Sequence, residues 1–204
     1  MRLHWPLDFA RSASLNGQPV ILAANGPGPK LAARAAEVIK EYHDLEGLVS
    51  IGFCGALNPA LNACDIFVAN ELHDVTQALS LPRCECQPGK LLSIDRVVTT
   101  AEEKRTLFGQ THADAIEMEA AALAAKAQQW QIPFSVVKVV TDTASETFPL
   151  DFNRLRDPEG RFSRSKILAA ALRRPAAFPA LLNLNRRCNQ ASQALGDFLA
   201  GARF

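Results

Sequence analysis

The run Phe134-Ser135-Val136-Val137-Lys138-Val139-Val140-Thr141, continuing into Asp142-Thr143-Ala144-Ser145, decides the fold. Val136, Val137, Val139 and Val140 give it the β-branched density of a strand covered on both faces. Just before it, Asp114 to Glu117 reads as a short strand feeding an alanine-rich helix from Met118 to about Trp130. Upstream the same alternation repeats. Pro19 to Ala24 is a short apolar strand that ends at Asn25-Gly26-Pro27-Gly28-Pro29. A helix follows from Lys30, with Leu31, Ala35, Val38, Ile39 and Tyr42 at helical spacing and Arg34, Glu37, Lys40 and Glu41 on the other face. Leu48 to Phe53 is a second strand, ending in the turn chemistry of Gly52 to Pro59, and Ile66 to Ala69 a third, entered through Asp65.

Residues 74–90 read as loop, Lys90 to Val98 as a strand, and Thr100 to Phe108 as a helix capped by Thr100, with Glu102 and Glu103 in its first turn. Beyond the valine strand the loop Asp142 to Gly160 leads to two helices, Ser165 to Arg173 and Phe178 to about Leu199, separated by Pro175. Strands alternating with helices predict an α/β fold: three layers, α/β/α, around a central twisted mixed sheet. No repeat or linker divides the chain, so residues 1–204 are predicted to form a single domain.

Composition narrows the function classes. With 22 Lys and Arg against 21 Asp and Glu, and 48% hydrophobic residues, the chain reads as neither disordered nor generally basic, and predicts no nucleic-acid partner. No run approaches the roughly 18 apolar residues of a membrane helix, and the N-terminal stretch lacks the apolar core of a secretory signal. Five cysteines, an odd number, favour free thiols, so the expected setting is cytoplasmic.

Four features invite chemistry. The turn at Gly26 and Gly28 lies between a strand and a helix N-terminus, where backbone N–H groups favour an anion; a tight turn that merely needs glycine explains it equally well. A dinucleotide fingerprint would need glycine at the position of Leu31, which disfavours a nucleotide-cofactor oxidoreductase, and no P-loop occurs. Cys84-Glu85-Cys86 lacks the spacing of a zinc site, and a surface thiol pair is the simpler reading; no metal is expected. Arg173-Arg174 and Arg186-Arg187 lie on or beside amphipathic helices, most simply as solvated faces, with contact to a lipid surface as the minority reading. The sharpest feature joins two junctions, Ala115-Ile116-Glu117-Met118-Glu119-Ala120 and Val140-Thr141-Asp142-Thr143. Each could be a helix cap. Two carboxylates just past the ends of buried strands, beside two glycine-rich turns, favour a ligand crevice instead.

In that motif order, over residues 19–147, the chain resembles the nucleoside phosphorylase and nucleosidase superfamily. The resemblance rests on Gly26 to Pro29, Ser50 to Leu57, Pro59 to Val68 with Asp65, Ser93-Ile94-Asp95, Glu117-Met118-Glu119 and Thr141-Asp142. The tail, from Phe148-Pro149-Leu150 to Phe178-Pro179-Ala180, is similar to hopanoid-associated phosphorylases. The resemblance implies cleavage of the N-glycosidic bond of a purine nucleoside or 5′-substituted adenosine, with no cofactor beyond inorganic phosphate as a co-substrate in phosphorolytic members. Asp142 would then be the general acid at purine N7 and Glu119 the acceptor of ribose hydroxyls, with Met118 beneath the sugar. Phe53, Cys54 and Gly55 would line base and ribose, Gly26 and Gly28 would approach phosphate or water, and Asp95, Glu117 and Thr141 complete the implied pocket. Val97 stands where many relatives place an aromatic that stacks on the base. No arginine lies between Arg34 and Arg83 to bind phosphate, which favours hydrolysis. The alternative is a catalytically impaired nucleoside-binding protein, because residues 1–18 contain no apolar strand and only Asp8 as an acid where relatives carry a first strand and a water-activating loop. The resemblance also implies at least a homodimer.

Overall fold

The computed structural model describes residues 5–82 and 88–203. Cys84, Glu85 and Cys86 lie outside the described residues. The chain runs β1 (Phe9–Leu15), β2 (Gln18–Ala24), α1 (Pro29–Tyr42), β3 (Leu48–Ala56), β4 (Ile66–Leu72), β5 (Pro88–Ser93), α2 (Ala101–Thr111), β6 (Ala115–Glu117), α3 (Ala120–Trp130), β7 (Phe134–Asp142), α4 (Arg164–Arg173) and α5 (Phe178–Gly201), with 3₁₀ turns at Phe152–Leu155 and Pro175–Ala177.

Strand β7 is buried at every residue and organises the layers. Its side chains alternate between faces, as a strand must. Phe134, Val136 and Val140 join Ala120, Ala124 and Ala127 of α3 in one core, whereas Val137 and Val139 join Val68 and, from α5, Ala191 and Leu195 in another. Helices therefore cover both faces, with α1 packed outside on α3. The sheet is mixed, as expected: β7 runs parallel to β3 and antiparallel to β4, while β6 is antiparallel to β3 and parallel to β5. It also closes on itself, in the order β3-β6-β5-β4-β7, a closure that sequence patterning does not encode.

The N-terminal segment corrects one expectation. Residues 9–15, which carry no apolar run, form a strand paired antiparallel with β2 in a separate two-stranded sheet. The reason is the turn Asn16-Gly17, with φ of 51° and 82°, the left-handed pair that a tight two-residue hairpin requires. Pairing supplies the strand state; only Ala10 of β1 is buried. Two boundaries also move. β5 spans Pro88–Ser93 rather than 90–98, because residues 94–97 turn away to meet the loop at Asn153, and α3 starts at Ala120 because Glu117 binds the amides at its start.

Candidate active site

Register explains why the two junctions share one place. Gly55 of β3 pairs with Ile116 of β6 on one side and with Asp142 of β7 on the other. Both candidate carboxylate segments therefore lie at the same level of the sheet, flanking Gly55, although β6 and β7 run in opposite directions. No room remains for a side chain there: a Cβ on Gly55 would stand 2.8 Å from Asp142 Oδ2.

Asp142 is only 5% exposed, and both its oxygens are held by this chain. Oδ2 accepts a hydrogen bond from Lys104 Nζ at 2.5 Å, and Oδ1 lies 2.9 Å from the Thr141 hydroxyl, whose single proton it shares with the Cys54 carbonyl at 3.3 Å. Lys104, on α2, is completely buried. Its ammonium also donates to the Thr143 carbonyl at 2.7 Å and sits 5.5 Å from the centre of the Phe148 ring, so its charge is met on three sides. From α5, Arg187 pairs with Glu146 in the loop that follows Asp142.

The second carboxylate pair shares one lysine. Lys138 lies on the β7 face of Val136 and Val140, almost completely buried, with Nζ 2.9 Å from Glu117 and 3.9 Å from Glu119. Burial disfavours its ammonium, but the two carboxylates outweigh that and leave its pKa raised. Glu117 also caps α3, accepting from the amides of Glu119 and Ala120 at 3.0 Å. Burial works against its charge as well; Lys138 and hydrogen bonds from Ser93 and the Ala120 amide win, and Glu117 falls below the ordinary glutamate value. For Glu119 burial dominates. Lys138 pulls the other way from further off, Glu117 adds repulsion, and the Glu119 carboxyl is held above its ordinary value. Two adjacent acids are thereby driven apart in protonation, a pattern that marks sites where carboxylates take different roles.

The glycine turn is part of the same constellation. The Gly28 amide, at the N-terminus of α1, donates to Glu119 Oε1 at 2.8 Å, so the anion that this turn favours is the chain's own carboxylate. Gly28 also lies beside the Met118 methyl, Asp95 Oδ1 and Arg156 Nη2, and Gly26 beside Leu31 and Arg161. Arg156 pairs with Asp95 at 2.9 Å and Arg161 with Asp8 at 3.2 Å. Val97 is tied to the loop by a reciprocal pair of 2.8 Å hydrogen bonds between its backbone and the Asn153 amide. Near it run the rings of Phe148, Phe152 and Phe162, in edge-to-face contact at 5.5 and 6.1 Å. Phe53 is 43% exposed at the end of β3, and its neighbour Cys54 is buried with its thiol pushed up by burial, an inert packing group rather than a nucleophile.

Each site residue named from the sequence that involves Asp142, Thr141, Gly55, Glu117, Met118, Glu119, Gly28 or Asp95 falls within this one network. Four residues were not named: Lys104, Lys138, Arg156 and Arg161. Lys138 carries a local signal, since a charge inside a fully apolar strand needs a partner. Among the described residues no cluster of three or more His, Cys, Asp or Glu could hold a metal ion, and no helix is long and apolar enough to cross a membrane.

The chain is similar to known proteins in sequence and in fold. A family profile described as "Phosphorylase superfamily" matches residues 8–88 and 85–173. The chain is 25% identical over 183 aligned residues to a 5′-methylthioadenosine/S-adenosylhomocysteine nucleosidase of Staphylococcus haemolyticus, covering 74% of this chain and 80% of that one. Among solved structures, the Neisseria meningitidis 5′-methylthioadenosine/S-adenosylhomocysteine nucleosidase with methylthio-immucillin-A superposes with a TM-score of 0.61 at 22% identity, covering 72% of this chain and 78% of the other. A futalosine hydrolase of Helicobacter pylori superposes with a TM-score of 0.60 at 19% identity, covering 82% of this chain and 85% of the other.

Proposed function

The chain belongs to the phosphorylase superfamily, and from that premise we propose that it cleaves the N-glycosidic bond of a purine nucleoside or 5′-substituted adenosine and releases the base. The observation that carries this reading is the placing of Asp142 and the Glu117–Glu119 pair on either side of Gly55, at one level of the sheet. Breaking the C1′–N9 bond sends its electron pair to the base and leaves positive charge on the sugar. A donor at the base and a carboxylate at the sugar both act most strongly in that transition state.

Asp142 is the group at the base. Paired as a carboxylate with Lys104 Nζ at 2.5 Å, it relays a proton from that ammonium to purine N7 as the bond breaks, and the proton lost by the attacking water restores the lysine's charge. Glu119, steadied by the Gly28 amide, accepts from the ribose hydroxyls, and Met118, also beside Gly28, packs under the sugar. Phe53 and Gly55 border the base, with Cys54 behind them. Val97 offers no stacking surface, but Phe148 and Phe152 do, from the loop that Asn153 ties to Val97. Water is the favoured acceptor of the ribosyl group. The two arginines at the glycine turn are engaged by Asp95 and Asp8, which leaves neither guanidinium unpaired for phosphate. The tail's similarity to hopanoid-associated phosphorylases supports an apolar group at the ribose 5′ position, and a homodimer is the expected assembly.

The test is base release from adenosine and 5′-methylthioadenosine, with and without phosphate. Release without phosphate, yielding free sugar, fits the reading; a strict phosphate requirement overturns the hydrolytic route. Asp142→Asn is expected to lower kcat by about 10²–10⁴-fold, the usual contribution of a general acid, while the protein stays folded. A fully active variant would remove Asp142 from the chemistry.

A further inference from the structure

Charge is distributed very unevenly along this chain. Between Glu159 and Asp197 there are seven arginines and lysines and no acid. Setting those seven aside from the 22 leaves 15 basic residues against all 21 acids, so a nearly neutral protein has one strongly basic segment and an acidic remainder. That segment forms α4, the turn at Pro175–Ala177 and α5.

Among the described residues it also holds four of the nine exposed large hydrophobic residues: Leu168 (57% exposed), Leu172 (64%), Phe178 (37%) and Leu182 (68%). Leu168 and Leu172 stand one turn apart on α4; Phe178, Leu182 and Arg186 do the same on α5. Lys166, Arg173, Arg174 and Arg186 are exposed around them, and none of these four forms an ion pair among the described residues, although Lys166 Nζ donates to the Arg156 carbonyl at 2.7 Å and Arg186 Nη2 to Asn183 Oδ1 at 3.4 Å. Among the described residues the ion pairs of this segment are those of Arg161 with Asp8 and of Arg187 with Glu146. A shallow hollow lined by Pro149, Arg174, Pro175, Ala176 and Ala177 joins the segment to the loop that carries Phe148, the ring against Lys104.

We propose that this face is a peripheral docking surface for an anionic phospholipid bilayer, with the two leucines of α4 and Phe178 and Leu182 of α5 entering the headgroup region and Lys166, Arg173, Arg174 and Arg186 lying against the phosphates. Amphipathic helices with leucine or phenylalanine on one side and unpaired basic residues on the other bind membranes by this combination. The charge decides between occupants. A symmetric contact with a second copy would lay this unpaired positive face against itself, a like-charge contact that costs free energy. A nucleic-acid backbone would be attracted to the arginines but has no use for the protruding leucines. An anionic lipid surface matches both. The proposal is independent of the glycosidic-bond reading. Docking there would set the 142–150 loop beside the bilayer, where a nucleoside with an apolar 5′ group resides.

The experiment is sedimentation of the full chain with vesicles of phosphatidylcholine alone or containing phosphatidylglycerol, at low and high salt. Binding is expected only with phosphatidylglycerol and is expected to fall as salt rises, since screening shortens the reach of the charges. Arg173→Ala with Arg174→Ala should weaken partitioning by about 25-fold, taking about fivefold per charge near the surface. Leu168→Ser with Leu172→Ser should weaken it on the order of tenfold, with the thermal melt unchanged because both side chains are exposed. Absence of binding to anionic vesicles at low salt overturns the proposal. So does binding of a single-stranded oligonucleotide that the leucine substitutions leave intact while vesicles stay unbound, or a dimer that those substitutions dissociate in a protein indifferent to vesicles. Base release from a soluble nucleoside is measured alongside, so that loss of the enzymatic reading and loss of the docking surface register separately.

Discussion

Replacing Lys104 by methionine keeps the length of the side chain and removes the ammonium that is bonded to Asp142. In the wild type the Nζ, with no exposed surface, is bonded to Asp142 Oδ2 at 2.5 Å and to the Thr143 carbonyl at 2.7 Å. Water cannot compensate at so closed a place, and Asp142, 5% exposed, would keep only the Thr141 hydroxyl. Breaking a buried ion pair by removing one partner costs about 3–5 kcal/mol, because the survivor stays charged and desolvated. For a chain of this size each kcal/mol lowers Tm by about 2–4 °C, so Lys104→Met should melt about 6–20 °C below the wild type. The pairing itself is isolated by a cycle. Asp142→Asn alone strands the lysine, whereas the double variant strands no charge, so the double should be more stable than the sum of the singles predicts by about 2–3 kcal/mol. Urea unfolding followed by tryptophan fluorescence measures all four proteins at neutral pH. Single substitutions that add to within about 0.5 kcal/mol would refute the claim that these two charges hold one another. In base release, Lys104→Met is expected to lower kcat more than it raises KM, since the loss falls on the orientation and proton supply of Asp142.

Gly55→Ala would set a methyl group 2.8 Å from Asp142 Oδ2 and push the carboxylate off its position; activity should fall by more than tenfold with a modest loss of stability, and an active Ala variant would refute the close approach. Glu117 has a depressed pKa, so its stabilising contribution is present above the ordinary value of 4.5 and is lost as pH falls through its lower folded value. Lys138 has a raised pKa, so its contribution is present below 10.5 and is lost as pH rises through its folded value. Stability from this pair should thus be level between those limits, and Glu117→Gln should flatten the acid limb of a Tm-against-pH curve; an unchanged acid limb would count against it. Glu119→Gln retains an oxygen for the Gly28 amide but loses the charge-assisted bond to a ribose hydroxyl, so kcat/KM should fall by about tenfold while the melt hardly moves.

Much of this architecture was legible because it is local. β7, α1 and the alanine-rich α3 follow from side-chain periodicity, and the two carboxylate junctions follow from the rule that ligands meet strands at their carboxyl ends. The hairpin strand β1 was not legible from hydrophobicity, because Phe-Ala-Arg-Ser-Ala-Ser-Leu hides almost nothing; Asn16-Gly17 was the signal that pointed to it. The cations differ in the same way. Lys138 announces itself, since an ammonium within four valines must find an anion, and it meets two, Glu117 at the end of β6 and Glu119 at the start of α3. Lys104 does not. It sits among Glu102, Glu103 and Arg105 at the start of a helix, where charged residues are ordinarily solvated, and its partner lies 38 residues away. Its burial follows from a tertiary placement that brings its ammonium to Asp142 and the Thr143 carbonyl at the end of β7, with no local trace. The consequence reaches the chemistry. Asp142 is bonded to Lys104, with Arg187 acting on it from further off, whereas Glu117 and Glu119 divide Lys138, a difference that supports the proposed division between base and sugar. The proposed roles rest on that asymmetry between two lysines rather than on the carboxylates by themselves.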